Sequence, residues 1–243
     1  LGVGLAPLIL GGLASFLGWR LPLRFLALAG LPLLVILFFT LDETKTEGQR
    51  GKLVLPSLTL TVVLALFYFL RGFVFKSITT FLPTYFVEIK GLSLVEGGLN
   101  TSIFLLTGVF VQPIGGILAD RWNRVFIIIA SSLGSAVVLF ALVSLPITKG
   151  VVYLLLILLG GFLYLTVPSV LSFVKQISPS EGYGMSFGFI FSSTALAGAI
   201  APILVGYLGD KFSLSLAFKR LHLLLVLAGL SIFLIRKHVQ RPG

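Results

Sequence analysis

The chain has 243 residues, 57% hydrophobic and 11% charged, with a mean hydropathy of +1.12. A soluble domain carries about 25% charged residues, so this composition excludes a soluble fold and leaves a polytopic membrane protein. The net charge of +10 sits mostly in short connections, where Lys and Arg anchor interfaces, so no nucleic-acid partner is expected.

Long uncharged runs without strict alternation choose helices over barrel strands, because in lipid the backbone must satisfy its own hydrogen bonds. Eight helical spans can be marked. The first covers Leu1 to Leu17 and ends at Gly18-Trp19-Arg20; the second covers Leu21 to Leu41. Asp42 to Lys52 (DETKTEGQRGK) is the only long polar connection and reads as a linker between two bundles. The third apolar region, Leu55 to Val87, is too long for one upright span and contains Arg71, Lys76 and Pro83. The fourth, Gly97 to Ala119, and the fifth, Val125 to about Pro146, are joined by a very short charged turn and must be antiparallel neighbours. The sixth runs from Val151 to Val174 around Pro168, the seventh from Gly184 to Leu208, and the eighth starts near Leu214, so that Lys219 and Arg220 snorkel to an interface.

An internal repeat links the ends of the chain. Ala6-Pro7, followed by three aliphatic residues and Gly11, matches Ala201-Pro202 and Gly206. Ala29-Gly30-Leu31 matches Ala228-Gly229-Leu230 in the same order. Spans one and two therefore resemble spans seven and eight, a period of six. The expected protein has two six-helix halves and twelve spans. Residues 1–41 would be the last two helices of the N-terminal half, 42–55 a linker, and 56–243 the C-terminal half. The only Met is Met185, so the chain is expected to be a fragment lacking the first four helices.

The turn carries a motif. Gly116-Ile117-Leu118-Ala119-Asp120-Arg121-Trp122-Asn123-Arg124 resembles the cytoplasmic-loop signature of the major facilitator superfamily, Gly-x-Leu-Ala-Asp-Arg-x-Gly-Arg. Asn123 stands where that family usually has Gly and is expected to tolerate a left-handed backbone there. Pro7 with Gly11 and Gly12 resembles the family's antiporter motif, shifted by one residue; Gly18-Trp19-Arg20 and Phe81-Leu82-Pro83-Thr84-Tyr85-Phe86 also resemble family segments.

The resemblance covers the whole chain, as the family's helices five to twelve. It implies an all-α major facilitator-like bundle, eight spans of twelve, whose halves rock around a central site. It also implies a multi-pass cell-membrane protein with the linker, Asp120 and both termini of the intact protein cytoplasmic. The basic-residue count leans the same way without settling orientation. In this reading Gly116, Asp120, Arg121 and Arg124 form a cytoplasmic gate, with Asp120 latching one half to the other or simply capping the fifth helix. Pro7, Gly11, Pro202 and Gly206 form a helix-packing motif.

For the substrate pathway, Arg71 and Lys76 are the only cations well inside an apolar region, where a charge costs about 2.5–3.5 kcal/mol and usually marks function. Five residues apart, they cannot face one cavity from a straight helix. Arg71, with Tyr68 one turn below, is the favoured anion or gating contact. Gln112, beside Pro113, is expected to face the bundle interior on one face with Thr101, Gly108 and Gly115, with Asn100 on the next stripe. Tyr164, Thr166 and Pro168 interrupt an aliphatic sixth span. The small-residue face Gly184, Gly188, Ser192, Ala195 and Ala199 reads first as close helix packing. Ser131, Ser132 and Ser135 fit less well on an outer supporting helix.

The expected function is secondary transport of a small solute, exporter-like, with the lipid bilayer as surroundings. With no Cys and with His222 and His238 far apart, neither metal nor cofactor is expected. A non-transporting membrane sensor or scaffold is the alternative. A polytopic membrane enzyme fits worse, since no acid pairs with a His in a span and an enzyme has no reason for a six-span repeat.

Overall fold

The computed structural model describes all residues except 1, 19, 41–57, 147, 178–182 and 240–243. The expected linker at 42–55 therefore lies outside the described residues.

The described residues form eight α-helices: α1 (Gly2–Leu17), α2 (Arg20–Thr40), α3 (Leu58–Thr84), α4 (Leu94–Arg121), α5 (Arg124–Ser144), α6 (Lys149–Ile177), α7 (Tyr183–Lys211) and α8 (Leu214–Val239). Among the described residues six helices, α3 to α8, are long and apolar enough to cross a membrane. α1, at 16 residues, is shorter than the roughly 20 that a hydrocarbon core needs.

Each boundary has a local cause. α3 continues through Pro83 into a single π-helical stretch, Tyr85–Ile89, where Lys90 N–H donates to the Tyr85 carbonyl at 3.3 Å. Gly91 follows with φ +68, a left-handed position that glycine fills without strain, and it reverses the chain. Ser93 then opens α4 with a capping box: its hydroxyl accepts from Glu96 N–H at 3.2 Å, and the Glu96 carboxylate accepts from Ser93 N–H at 3.0 Å. The Lys149 ammonium, at the start of α6, pairs with the same carboxylate at 2.7 Å. Between α4 and α5 the side chain of Asn123 accepts from Phe126 N–H at 3.2 Å. Asn123 has φ −65 and ψ 112, so it is an extended N-cap and not the left-handed residue that the motif led us to expect. The cap is Asn123, not Asp120, which lies in the last turn of α4.

The helices pack as α4 on α6, α3 on α7 and α8, α5 on α6 and α8, and α1 on α4. Two apolar layers result. One holds Val74, Ile78, Tyr85, Phe104, Leu142, Leu156 and Phe218; the other holds Leu64, Phe67, Ile128, Phe173, Ile190 and Ile232. A polar belt lies between them: Arg71 on α3, Ser131 and Ser132 on α5, Thr166 on α6. The Ser131 and Thr166 hydroxyls bond at 2.8 Å. Ser132 packs on Gly229 of α8. The α5 serines are thus buried joints between helices.

Hydrocarbon solvates Leu as well as a protein interior does, so helices in lipid associate by close van der Waals fit at small residues. Here the fit is tightest between α4 and α6. A Cβ added to Gly160 would stand 2.5 Å from the Phe104 carbonyl oxygen, and one at Gly115 would stand 2.8 Å from the Pro168 ring. The small face of α7 does not serve this purpose: Gly184, Gly188, Ser192, Ala195 and Ala199 are all exposed, while Ala197, Ala201 and Val205 are buried. The packing side of α7 is the adjacent stripe, where Thr194 meets Gly72 of α3.

Two predictions follow from this packing and capping. Gly160→Ala forces the α4 backbone away and should destabilise the intact protein by about 1–3 kcal/mol. Gly150→Ala, where a Cβ meets nothing within 4 Å, should be neutral or stabilising by up to about 1 kcal/mol. Thermal melts in detergent should show the opposite signs. Asn123→Ala should cost about 1 kcal/mol and Asn123→Gly only a few tenths. Were a left-handed backbone required, Gly would instead be the stabilising choice.

Candidate functional site

Arg71 is residue 14 of the 27 in α3, near the middle of the helix and 9% exposed. Its guanidinium donates to the Leu163 carbonyl of α6. A helix carbonyl already bonded along the helix can accept such a second bond through its other lone pair. The Nε of Arg71 and the hydroxyl of Tyr68 are buried without a hydrogen-bond partner. The ionisable side chains acting on Arg71 are Tyr68 and Tyr164. Both described ion pairs lie elsewhere, so no described carboxylate neutralises it.

Tyr164 is placed by glycine. Its ring covers Gly108 of α4 so closely that a Cβ there would stand 2.7 Å from three ring carbons. The edge of Phe75 meets it at 5.6 Å between centroids, and Phe104 lies at 6.3 Å. The result is a buried cation beside two tyrosines, with Phe75 and Phe104 packed on the ring of Tyr164. A planar anion fits such chemistry, since a guanidinium offers parallel donors and the phenols offer more.

The structure brings Arg71, Tyr68 and Tyr164 together and separates the other pathway residues from them. Lys76 is exposed, its stem lying along Gly198 of α7, where the position of an added Cβ is 3.3 Å from Cγ. Asn100 and Thr101 are 2% and 1% exposed, with the Thr101 hydroxyl donating to the Gly97 carbonyl at 2.9 Å. Asn100 lies eight residues from Gly108 on the same helix, about 12 Å along its axis, and its Oδ1 is buried without a partner. Gln112 is exposed and does not face the interior of this bundle. Thr101, Gly108 and Gly115 are buried on α4, and so are Gly98 and Leu105, which share Gln112's seven-residue line; that line is covered at Gly98 and Leu105 and open at Gln112.

At the turn, the Arg124 guanidinium stands 4.0 Å from the Asp120 carboxylate, which is 75% exposed, so the pair contributes little by itself. Arg121 is exposed. Gly115, not the motif's Gly116, makes the close approach to α6, and a Cβ on Gly116 meets nothing within 4 Å. In the packing motif, a Cβ added to Gly11 would stand 3.8 Å from the Leu94 carbonyl oxygen and one added to Gly206 would stand 3.3 Å from the Phe81 ring. Pro202 is half-buried in α7, and the surroundings of Pro7 lie outside the described residues. Sequence reasoning missed the Leu163 carbonyl, which no side-chain pattern can reveal. It also missed the rings of Phe75 and Phe104 and the capping box, whose Ser-x-x-Glu spacing was readable at Ser93 and Glu96.

The family profile described as "Major Facilitator Superfamily" matches residues 1–202. "Probable nitrate/nitrite transporter NarK2" of Mycobacterium tuberculosis (strain ATCC 25618 / H37Rv) is 30% identical over 132 residues, covering 54% of this chain and 33% of that protein. "Probable nitrate transporter NarT" of Staphylococcus haemolyticus (strain JCSC1435) is 26% identical over 261 residues, covering 99% of this chain and 62% of that protein. The chain thus spans between a third and about three fifths of the length of these relatives. Among solved structures, a bacterial homolog of the human lysosomal transporter Spinster, crystallised inward-facing and unoccupied, superposes with a TM-score of 0.71 at 15% identity. It covers 95% of this chain and 62% of that one, and shows the fold alone. The relatives and the fold are those of transporters, not of enzymes. The helical bundle, the loop signature and the profile match agree, and the chain belongs to the Major Facilitator Superfamily.

Proposed function

We propose that this chain is part of a secondary transporter that moves a small planar anion by alternating access, with Arg71 as the anion's principal contact and Tyr68 and Tyr164 beside it. One observation carries the reading: a guanidinium at mid-helix, buried, with an unpartnered Nε and no described carboxylate next to it. A lone buried cation is costly unless something pairs with it, and an anionic substrate supplies that charge transiently. The nitrate and nitrite named for the similar proteins are anions of this kind, which supports the class.

In this reading the eight helices are eight of twelve spans, residues 1–41 belong to one half and 56–243 to the other, and the linker and termini are cytoplasmic. The exposed small face of α7, Lys76 and Gln112 then border the space between the halves. Asp120, Arg121 and Arg124 act as a latch on the cytoplasmic side. The antiporter-like Pro7 and Gly11 support an exporter-like direction.

The test is nitrate and nitrite flux into vesicles holding the intact gene product. Losing charge-assisted hydrogen bonds costs about 1.5–3 kcal/mol each, so Arg71→Ala should cut kcat/KM roughly ten- to hundredfold, with Arg71→Lys between. Asp120→Asn should lower the maximal rate with little change in KM, as expected of a group that times conformational exchange. Unchanged kinetics in Arg71→Ala would remove Arg71 from the pathway, and binding without gradient-dependent flux would favour a sensor.

A further inference from the structure

The outer face of the bundle carries a second site. α5 and α8 leave between them a groove of about 440 Å³, lined by Leu133, Ala136, Val137, Phe140, His222 and Val226. That volume lies within the range of small-molecule pockets, about 300–1,000 Å³. The groove is open along its length: Val137 is 69% exposed, and Leu223 and Leu227 on the same helix as His222 are also exposed. It spans Leu133 to Phe140, seven residues or about 10 Å along α5. Its deep end is therefore near mid-membrane, at the polar belt, and its shallow end is about one turn from the end of α5 at Ser144.

The shallow end is basic. The Lys219 ammonium stands 6.0 Å from the centre of the Phe140 ring, at the limit of a cation–π contact. His222 packs edge-on to the same ring at 5.0 Å, and its Nδ1 bonds the Lys219 carbonyl, which fixes the imidazole as part of the wall. Arg220, the next residue, is also exposed but lies about 160° around α8 from His222, away from the groove. Against these cations, α8 carries no acidic residue, and α5 carries no charge beyond Arg124. The nearest ion pair of the protein at this end, Glu96 with Lys149, joins α4 to α6 and not the groove.

We infer that this groove binds an anionic phospholipid. The headgroup phosphate sits at Lys219, above the Phe140 ring, and an acyl chain runs down the groove past Phe140 and Val137 to Leu133. The charge and the shape demand both parts of that ligand. Free phosphate would leave the apolar groove uncovered, and a zwitterionic lipid would place its own cation against Lys219. The site lies on the leaflet opposite the Asp120–Arg124 turn. It stands apart from Arg71 and does not depend on the transport reading.

The test uses the intact protein in a mild neutral detergent. Native mass spectrometry would read retention of dioleoyl phosphatidylglycerol against dioleoyl phosphatidylcholine. Phosphatidylglycerol should be retained preferentially. A basic residue near a membrane surface is worth a factor of about five toward anionic lipid, so Lys219→Ala should weaken retention about fivefold, whereas Arg220→Ala, on the far side of α8, should change it much less. Val137→Trp, at an exposed position that the fold tolerates, should fill the groove and abolish the preference without lowering the melting temperature of the lipid-free protein. Equal retention of the two lipids, or indifference to both Lys219→Ala and Val137→Trp, would overturn the site. So would a lipid-independent dimer that Val137→Trp dissociates, because a second copy of the chain would then cover the face.

Discussion

The guanidinium of Arg71 constrains everything packed around it. A cation near the centre of an apolar helix has few options in a membrane: it reaches an interface, finds a counter-ion, or is wrapped in oxygen and aromatic faces. Arg71 takes the third. The Leu163 carbonyl accepts from it, and Tyr68 and Tyr164 stand beside it. Lys76, a turn and a half further along, is instead exposed, with its stem along Gly198 of α7. The same helix thus treats two cations in opposite ways, because they point in opposite directions from its axis.

The wrapping works only because α4 and α6 lie close together. Gly108 gives the Tyr164 ring its place, Gly160 lets α6 approach the Phe104 carbonyl, and Gly115 receives Pro168. Phe75 and Phe104 then close the wall around Tyr164. On the other side of the same level, the Ser131–Thr166 bond and the Ser132–Gly229 contact tie α5 to α6 and α8. These buried polar groups therefore either join helices or stand beside Arg71. The apolar layers above and below supply the bulk of the packing but no chemistry.

Much of this was legible beforehand. The membrane class, the helices and their order follow from runs of uncharged residues broken by Asp120, Arg121 and Arg124, and family membership follows from the turn that holds them. Arg71 stood out by charge alone. What failed to show depends on direction and on backbone. Gln112 looked buried because it is polar, yet it is exposed while Leu105, seven residues earlier on the same line of α4, is buried, so the cover on that line stops before Gln112. The small residues of α7 looked like a packing face, yet Ala197, Ala201 and Val205 take that role and leave them exposed. Asn123 occupies a position where glycine is usual, but it serves as an extended cap through its side chain. In each case residue type was read correctly while its level, azimuth or backbone state was set by neighbours distant in sequence.

The central claim is that Arg71 binds the anion, and equilibrium binding tests it apart from turnover. A ligand that binds only the folded protein stabilises it, by about 2.7 kcal/mol at one hundred times its dissociation constant. Nitrate, titrated as its sodium salt against sodium gluconate at constant ionic strength, should raise the melting temperature of the intact wild-type protein in detergent. It should leave Arg71→Ala unmoved. An equal rise in both proteins would contradict the account.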